Sequence, residues 1–393
     1  MTSDIKMNIL WIDLGIGDIG GGQIYNSRLM NSLDDNFNLF LLTSFEKFYV
    51  NNLKKNIVVV KYGRMKIYMD FLLNKIIKRR NRVLIILLLA LPLFFELLYL
   101  KKGLKKLNIN IDLIISTDGY YIGELLSIFS GFKKVKRIHL VHSATPINLK
   151  GVPFSRDFIK IILRFVSTYG RVFFLTLNSK ATSDFNEIFP MSAFQLGVGI
   201  DVERYFPRNW EDRENIILYV GRIDERQKNL SILIKVARVV EGTQFKIVIA
   251  GDGKDLQYYK KLSSSLGVEP YINFLGYIGE DEKLELLARS KIFVNPSIEE
   301  GLSNAVLEAM SCGCATICVD NDGSRSAIVN NVDGIIISNY VVELESALRS
   351  LMNNERKMQF LSSNARSKVI QSFSLVYIAN KLKKFLYTIN QEA

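Results

Sequence analysis

Two carboxylates eight positions apart, a pair of cations and a glycine-rich loop are the features of this 393-residue chain that could do chemistry. The carboxylates lie in SIEEGLSNAVLEAMSCGCATICVDNDGS (297–324), as Glu300 and Glu308, with Gly301, Leu302, Ser303 and Asn304 between them. The pattern predicts a strand ending near Asn295–Pro296 and a helix from Ser303 or Asn304 to Gly313. The first-turn amides of such a helix, at about residues 302–305, form an anion site. Glu308 in the second turn and Glu300 just before the helix can each accept hydrogen bonds from hydroxyls. The cations lie in YVGRIDERQKNLSILIKV (219–236), where a strand ends at Gly221 and Arg222 and Lys228 occupy the loop before the next helix. Arginine can fork two phosphate oxygens and lysine adds a compact charge. Carboxylates suit diols, whereas amides and cations suit a diphosphate; the combination describes a nucleotide-sugar. Taken singly, each residue also has a plain reading as a solvated surface charge.

Other groups are weaker candidates. Gly15, Gly17 and Gly20 spell G-x-G-x-x-G after an apolar run, the spacing of a dinucleotide-binding loop. Such a loop also wants an acid at the end of the second strand. That strand, FNLFLLTS, ends without one, and Glu46 comes late. Gly20, Gly21 and Gly22 then read as a segment of close backbone approach to a phosphate. Asp320, Asn321 and Asp322 form D-x-D, a possible hard-cation site, but Asp and Asn are also ordinary turn formers. With cations already at hand, no metal and no cofactor is expected. Cys312, Cys314 and Cys318 are an odd, clustered set with no fourth ligand nearby, so they read as small buried residues in a reducing compartment.

These residues need a frame, and the periodicity supplies one. Apolar strand-like runs fall at 8–13, 38–43, 56–61, 112–116, 135–142, 172–177 and 193–196, then at 215–220, 245–250, 272–275, 292–295, 315–319 and 334–337, with helical patterns between most of them. Repeated alternation predicts an α/β chain with parallel sheets covered on both faces. The total exceeds one comfortable sheet, and a polar stretch at 197–212 bears Pro207. The expected architecture is two Rossmann-like, doubly wound domains, 1–200 and 201–375, facing across a cleft. A last helix, 376–393, would cross back to the first. Ligands in such folds bind at the carboxyl ends of the strands.

The chain resembles GT-B-fold glycosyltransferases of glycosyltransferase family 4. The matching segments are GGGQIYNSRL, NSK at 178–180, GVGID at 197–201, VGRID through Lys228, IAGDG at 249–253, FLGY at 274–277 and EEGLSNAVLEAMSCG at 299–313. Several motifs in one order make the likeness specific. It implies that Arg222 and Lys228 hold the donor diphosphate, that Glu300 contacts the donor sugar and Glu308 the ribose, and that the amides of Gly301, Leu302, Ser303 and Asn304 meet phosphates or sugar. Gly21, Gly22 and Gly221 would border the donor. His142, at a predicted strand end in IHLVHSATP, matches the family's active-site histidine and is preferred to His139 within the strand. By residue type alone, a lone strand-end histidine is more often a packing residue. Where the family often has a glutamate three residues after a glycine, here Ser326 follows Gly323. The resemblance also implies retention of anomeric configuration. A covalent route needs an opposite-face carboxylate, and none is identifiable, so a same-face displacement is expected.

Charge adds a partner. Residues 1–200 hold 27 Lys+Arg against 14 Asp+Glu, and the remainder 24 against 25. Residues 75–106 read KIIKRRNRVLIILLLALPLFFELLYLKKGLKK, an apolar run interrupted by Pro92 and Glu96 and flanked by basic residues. A span there would split the first domain's strands across the bilayer, so attachment to an anionic membrane surface is the expectation, with burial in the core as its rival. The start of the chain lacks a signal-peptide pattern. A cytoplasmic protein, peripheral on the inner face of the membrane, is expected, acting on a glycan or lipid-linked acceptor in cell-surface polysaccharide or glycolipid synthesis. Nucleic acid is not expected, because no aromatic-interleaved basic motif is present. The rival readings are an NAD(P)-dependent oxidoreductase and a non-catalytic membrane-associated partner with a vestigial donor site.

Overall fold

A computed structural model describes residues 6–13, 21–33, 35–43, 46–54, 57–61, 97, 98, 100–117, 127, 132, 135–141, 172–188 and 193–391. The chain divides into two compact units, Met1–Leu196 with Ala379–Ala393, and Gly197–Ile378.

The first unit holds β1 (Met7–Asp13), β2 (Phe37–Thr43), β3 (Val58–Lys61), β4 (Leu113–Ser116), β5 (Lys136–Val141), β6 (Val172–Thr176) and β7 (Ala193–Gln195). They form one sheet in the order β3-β2-β1-β4-β5-β6-β7, with every pairing parallel. Runs such as LIIS and VFFLT are buried along their whole length, as strands covered on both faces must be. Helices α1 (Gly21–Ser32), α2 (Glu46–Asn52) and α3 (Ser179–Ile188) belong to this unit. Its basic, apolar stretch is described only at its end. There Leu97 and Leu104 are buried in a core cluster with Leu10, Ile12 and Ile114, while Lys102, Lys105 and Lys106 are exposed. At this end the apolar side chains feed the core and the lysines face out.

The second unit holds β8 (Glu214–Val220), β9 (Lys246–Ala250), β10 (Ile272–Gly276), β11 (Ser290–Asn295), β12 (Ala315–Val319) and β13 (Ile335–Ile337). Their order is β10-β9-β8-β11-β12-β13, again all parallel. The helices are α4 (Glu225–Lys228), α5 (Ser231–Lys235), α6 (Leu256–Ser265), α7 (Glu280–Arg289), α8 (Asn304–Ser311), α9 (Asp322–Ala327), α10 (Val341–Met352) and α11 (Glu355–Lys368). Polar residues start several of them: Asp224 caps α4, Asn354 caps α11, and Asn321 and Ser324 form a reciprocal capping box on α9. The core runs from Ile217 and Ile249 on the strands to Leu233, Leu348 and Leu361 on the helices. All three cysteines are buried free thiols, and burial pushes the Cys314 thiol up to about 12.

The final helix, α12 (Leu375–Gln391), lies in the first unit from Ala379 onward. Phe385 stacks on Phe194 with centroids 4.8 Å apart and meets Phe173 edge-on at 5.8 Å. Lys136 Nζ donates to the carbonyls of Ile389 and Asn390 near the helix end, where cations are favoured.

In each unit the strand order reverses direction about an adjacent pair, β1–β4 in the first and β8–β11 in the second. In the second, the loop after β8 is also stitched to the loop after β9. Gly221 N–H donates to Ala250 O (3.0 Å) and Ile223 N–H to Asp252 O (2.9 Å). Gly251 sits at φ +145, and a Cβ there would lie 1.8 Å from Gly221 O. Gly251→Ala is therefore expected to lower stability by about 2 kcal/mol or more, read as a fall in the denaturant midpoint. An unchanged midpoint would show that the loop has room.

Candidate active site

The site is built where β8 and β11 end. The strands are hydrogen-bonded neighbours, with Ile217 opposite Ile292 and Leu218 opposite Phe293. The chain leaving β8 carries Gly221, Arg222 and, in the last residue of the short helix α4, Lys228. The chain leaving β11 carries Glu300, Gly301, Leu302 and Ser303 and enters α8 at Asn304. Lys228 Nζ forms an ion pair with Glu300 Oε1, with side chains 16% and 13% exposed. Two residues 72 positions apart are thus joined.

Gln227, which the sequence pattern did not single out, fastens this junction. Its side-chain oxygen accepts from Arg222 Nη2 (2.6 Å), its side-chain nitrogen donates to Glu299 O (3.2 Å), and its backbone oxygen accepts from Ile298 N–H (3.0 Å). Arg222 itself is exposed. Beneath it, the Tyr219 hydroxyl donates to Arg222 O (2.8 Å). Burial, and then the charge of Glu300, pushes that phenol well above its usual range. A Cβ on Gly221 would meet the same hydroxyl at 2.8 Å. Gly323 presses on the other side: a Cβ there would lie 2.9 Å from Glu300 Cβ and 3.0 Å from Glu300 O and Gly301 O.

Helix α8 presents its first turn beside this junction. Ser303 occupies its N-cap position without a side-chain cap. At the other end the helix stops at Ser311, and Gly313 takes φ +67, the left-handed conformation common after a helix. Two arginines bind that end: Arg213 Nη1 donates to Gly313 O, and Arg366 Nη1 donates to Ser311 O (2.6 Å). Leu302 is buried. Glu308, in the second turn, is buried at 3% exposure and pairs with Lys283 of α7, Nζ to Oε2 2.9 Å. Both site carboxylates therefore carry a lysine partner. The sequence pattern singled out Glu300, Glu308 and Lys228 as candidates; it did not single out Lys283.

The D-x-D acids are also engaged. Arg325 donates to Asp320 Oδ1 and Asp322 Oδ1, each at 2.6 Å. Among the described residues no group of three potential ligands could hold a metal. Ser326 turns back on its own helix, its hydroxyl donating to Asp322 O (2.7 Å).

In the first unit, Gly21 and Gly22 begin α1, while Gly15, Gly17, Gly20 and His142 lie outside the described residues. His139 is buried within β5, its Nδ1 3.1 Å from Ser116 Oγ. At the end of β1 stands buried Asp13, whose Oδ2 accepts from Asn26 Nδ2 (2.9 Å) and from the Tyr49 hydroxyl. Burial and the charge of Asp13 push that phenol far up. Asn26 also reaches Thr117 Oγ1 (3.4 Å), beyond the end of the neighbouring β4.

Comparison with known proteins bears on this site. Residues 202–368 match the family described as glycosyl transferases group 1. The chain is 25% identical over 312 residues to an N-acetylgalactosamine-N,N'-diacetylbacillosaminyl-diphospho-undecaprenol 4-alpha-N-acetylgalactosaminyltransferase of Campylobacter jejuni, covering 76% of this chain and 81% of that protein. It is 26% identical over 213 residues to a UDP-Gal:alpha-D-GlcNAc-diphosphoundecaprenol alpha-1,3-galactosyltransferase of Escherichia coli, covering 49% and 54%. Among solved structures, Anabaena HepE in complex with UDP superposes with a TM-score of 0.75 at 16% identity, covering 97% of this chain and all of that one. The fold is GT-B, and the chain is a glycosyltransferase.

The ion pair can be tested without substrate. In a double-mutant cycle of Lys228→Met and Glu300→Gln, each single change leaves a mostly buried charge unpaired, so the double variant should regain stability. The expected coupling is about 1–3 kcal/mol from denaturant unfolding. Additive losses would mean that the pair contributes nothing.

Proposed function

We propose that this glycosyltransferase is a family 4 enzyme that moves a sugar, with retention of configuration, from a UDP-sugar to a hydroxyl of a lipid-linked glycan. The observation that carries this reading is the Lys228–Glu300 pair at the carboxyl ends of two adjacent central strands, beside the start of α8, where the Ser303 side chain makes no cap. A donor diphosphate would draw Lys228 away from Glu300. The lysine, Arg222 and the first-turn amides of α8 then face the phosphates. Glu300, released, accepts hydrogen bonds from the sugar hydroxyls, and Glu308 accepts them from the ribose. As the glycosidic bond breaks, negative charge gathers on the departing diphosphate, and these fixed donors stabilise it. The acceptor hydroxyl attacks from the face the diphosphate leaves, and its proton passes to a diphosphate oxygen. The reaction needs no metal in this reading. The cations supply the countercharge, and Asp320 and Asp322 are held by Arg325. Uridine is favoured by the UDP-Gal donor of the Escherichia coli relative and the UDP bound to HepE. The lipid-linked acceptor is favoured by the diphospho-undecaprenol substrates of both named relatives.

UDP and UDP-sugars should raise the melting temperature, and EDTA should leave turnover intact. Arg222→Ala and Lys228→Ala should each lose about 1.5–3 kcal/mol of transition-state stabilisation, roughly 10–150-fold in kcat/KM. Stabilisation by NAD(P) alone would sink the transferase mechanism. NMR of the first-formed product should show the donor's anomeric configuration; inversion would overturn the same-face displacement.

The protein is further proposed to work at the inner membrane face through the basic stretch around residues 75–106. No helix among the described residues is long and apolar enough to cross a membrane. The exposure of Lys102, Lys105 and Lys106 supports this reading. Replacing each with Gln should weaken sedimentation with phosphatidylglycerol vesicles by about 1 kcal/mol, near fivefold per lysine. Equal binding to neutral vesicles would reject this.

A further inference from the structure

Lys283 has no role in the reaction as derived so far, yet it is the cation on the buried Glu308. It reaches Glu308 from α7, 25 positions away in sequence. Its Nζ lies 2.9 Å from Glu308 Oε2 and 2.9 Å from Glu280 Oε2, and 5.4 Å above the Tyr205 ring. The Tyr205 hydroxyl in turn donates to Glu280, and its backbone oxygen accepts from Ser311 Oγ (2.6 Å) at the end of α8. The lysine is thus held by Glu280 and Tyr205 while it holds one oxygen of Glu308. Its own side chain is 16% exposed.

A carboxylate that grips a diol must be ionised and must point one way. Water does neither for Glu308, because water scarcely reaches it. An ammonium at hydrogen-bond distance does both: it offsets the desolvation of the charge and fixes the carboxylate plane. Three explanations of the contact compete. It could only tie α7 to α8, only neutralise a buried acid, or set the geometry of a ligand-binding group. The first two place no demand on what the ligand carries. The third does.

We propose that Lys283 is a positioning residue that aims Glu308 at the ribose of the donor nucleotide, and so sets the preference for a ribonucleotide. The inference rests on the ribose-binding reading of Glu308 given above. Glu280 and Tyr205 hold the lysine, and the lysine holds the carboxylate.

The test compares UDP with 2′,3′-dideoxy-UDP by calorimetry on the full chain, with the matching guanosine pair run in parallel and the tighter base used. The wild type should prefer the ribonucleotide by about tenfold, the value of one charged hydrogen bond. Lys283→Met should cut that preference to below about twofold and change the affinity for the dideoxy analogue little. Lys283→Gln, which keeps a hydrogen-bond donor, guards against a folding failure of Lys283→Met and should fall in the same direction. Lys283→Arg should restore most of the preference. A Lys283→Met variant that weakens both nucleotides equally, or keeps the wild-type ratio, would overturn the proposal and leave the lysine a structural tie. Glu308→Gln separates the two failures. If it loses the preference while Lys283→Met and Lys283→Gln keep it, only the role of Lys283 is wrong. If Glu308→Gln keeps it as well, the ribose reading of Glu308 is wrong.

Discussion

The adjacency of β8 and β11 is the constraint on which the rest of the site depends. In the second unit the strand order turns about this pair, so the chains leaving the two strands emerge side by side. One brings cations and the other a carboxylate, and Lys228 and Glu300 meet in a place largely shielded from water. Opposite charges so placed are tolerable; either alone would be costly. The neighbouring residues are then confined. Gln227 bridges the two loops, Gly251 lets the loop after β9 lie against Gly221, and Gly323 lets α9 press on Glu300. Each glycine stands where a methyl group would collide with backbone or with the carboxylate stem.

Helix α8 gives the site its electrical direction. Its negative end is answered inside the protein, by Arg213 on Gly313 O and Arg366 on Ser311 O. Both guanidiniums are held below their usual range, first by burial. Their acceptors are carbonyls at the helix end, where a positive charge is favoured. The positive end of the helix has no such answer from the Ser303 side chain. Protein charge is committed at one end and the start of the helix faces the site at the other. That asymmetry suits an anionic ligand better than a neutral one.

The first unit repeats the architecture with different chemistry. At its own turning point, β1–β4, the strand end carries buried Asp13, bonded by Asn26 and Tyr49. A fully buried guanidinium, Arg137, lies in β5 and donates to Ser127 Oγ, Val135 O and Phe132 O. Its charge is spent on internal carbonyls and a hydroxyl, so the basic excess of this half is not all surface charge. Lys102, Lys105 and Lys106, by contrast, stand in solvent on the same helical stretch as Leu104, which feeds the core.

Sequence alone determined the fold class and the elements. Most of β1 to β13 fall on apolar runs visible in the chain, because strands covered on both faces are largely apolar; the edge strands β7 and β10 are only partly buried. The helix from Asn304 announced itself through its polar start and the glycine just past its end, and Gly221, Arg222, Lys228, Glu300 and Glu308 were already legible as candidates for diphosphate and diol chemistry. Which charge meets which was left to the tertiary structure. Lys228 finds Glu300 across 72 positions and Lys283 finds Glu308 across 25, each pair joining two different elements that no local repeat connects. Arg325 takes both acids of the D-x-D, and Leu97 and Leu104 turn inward from a stretch that reads as membrane-seeking. The reason is physical: periodicity records which face of an element is buried, whereas a parallel sheet gathers loop residues from distant parts of the chain at one edge, and only that gathering decides their partners.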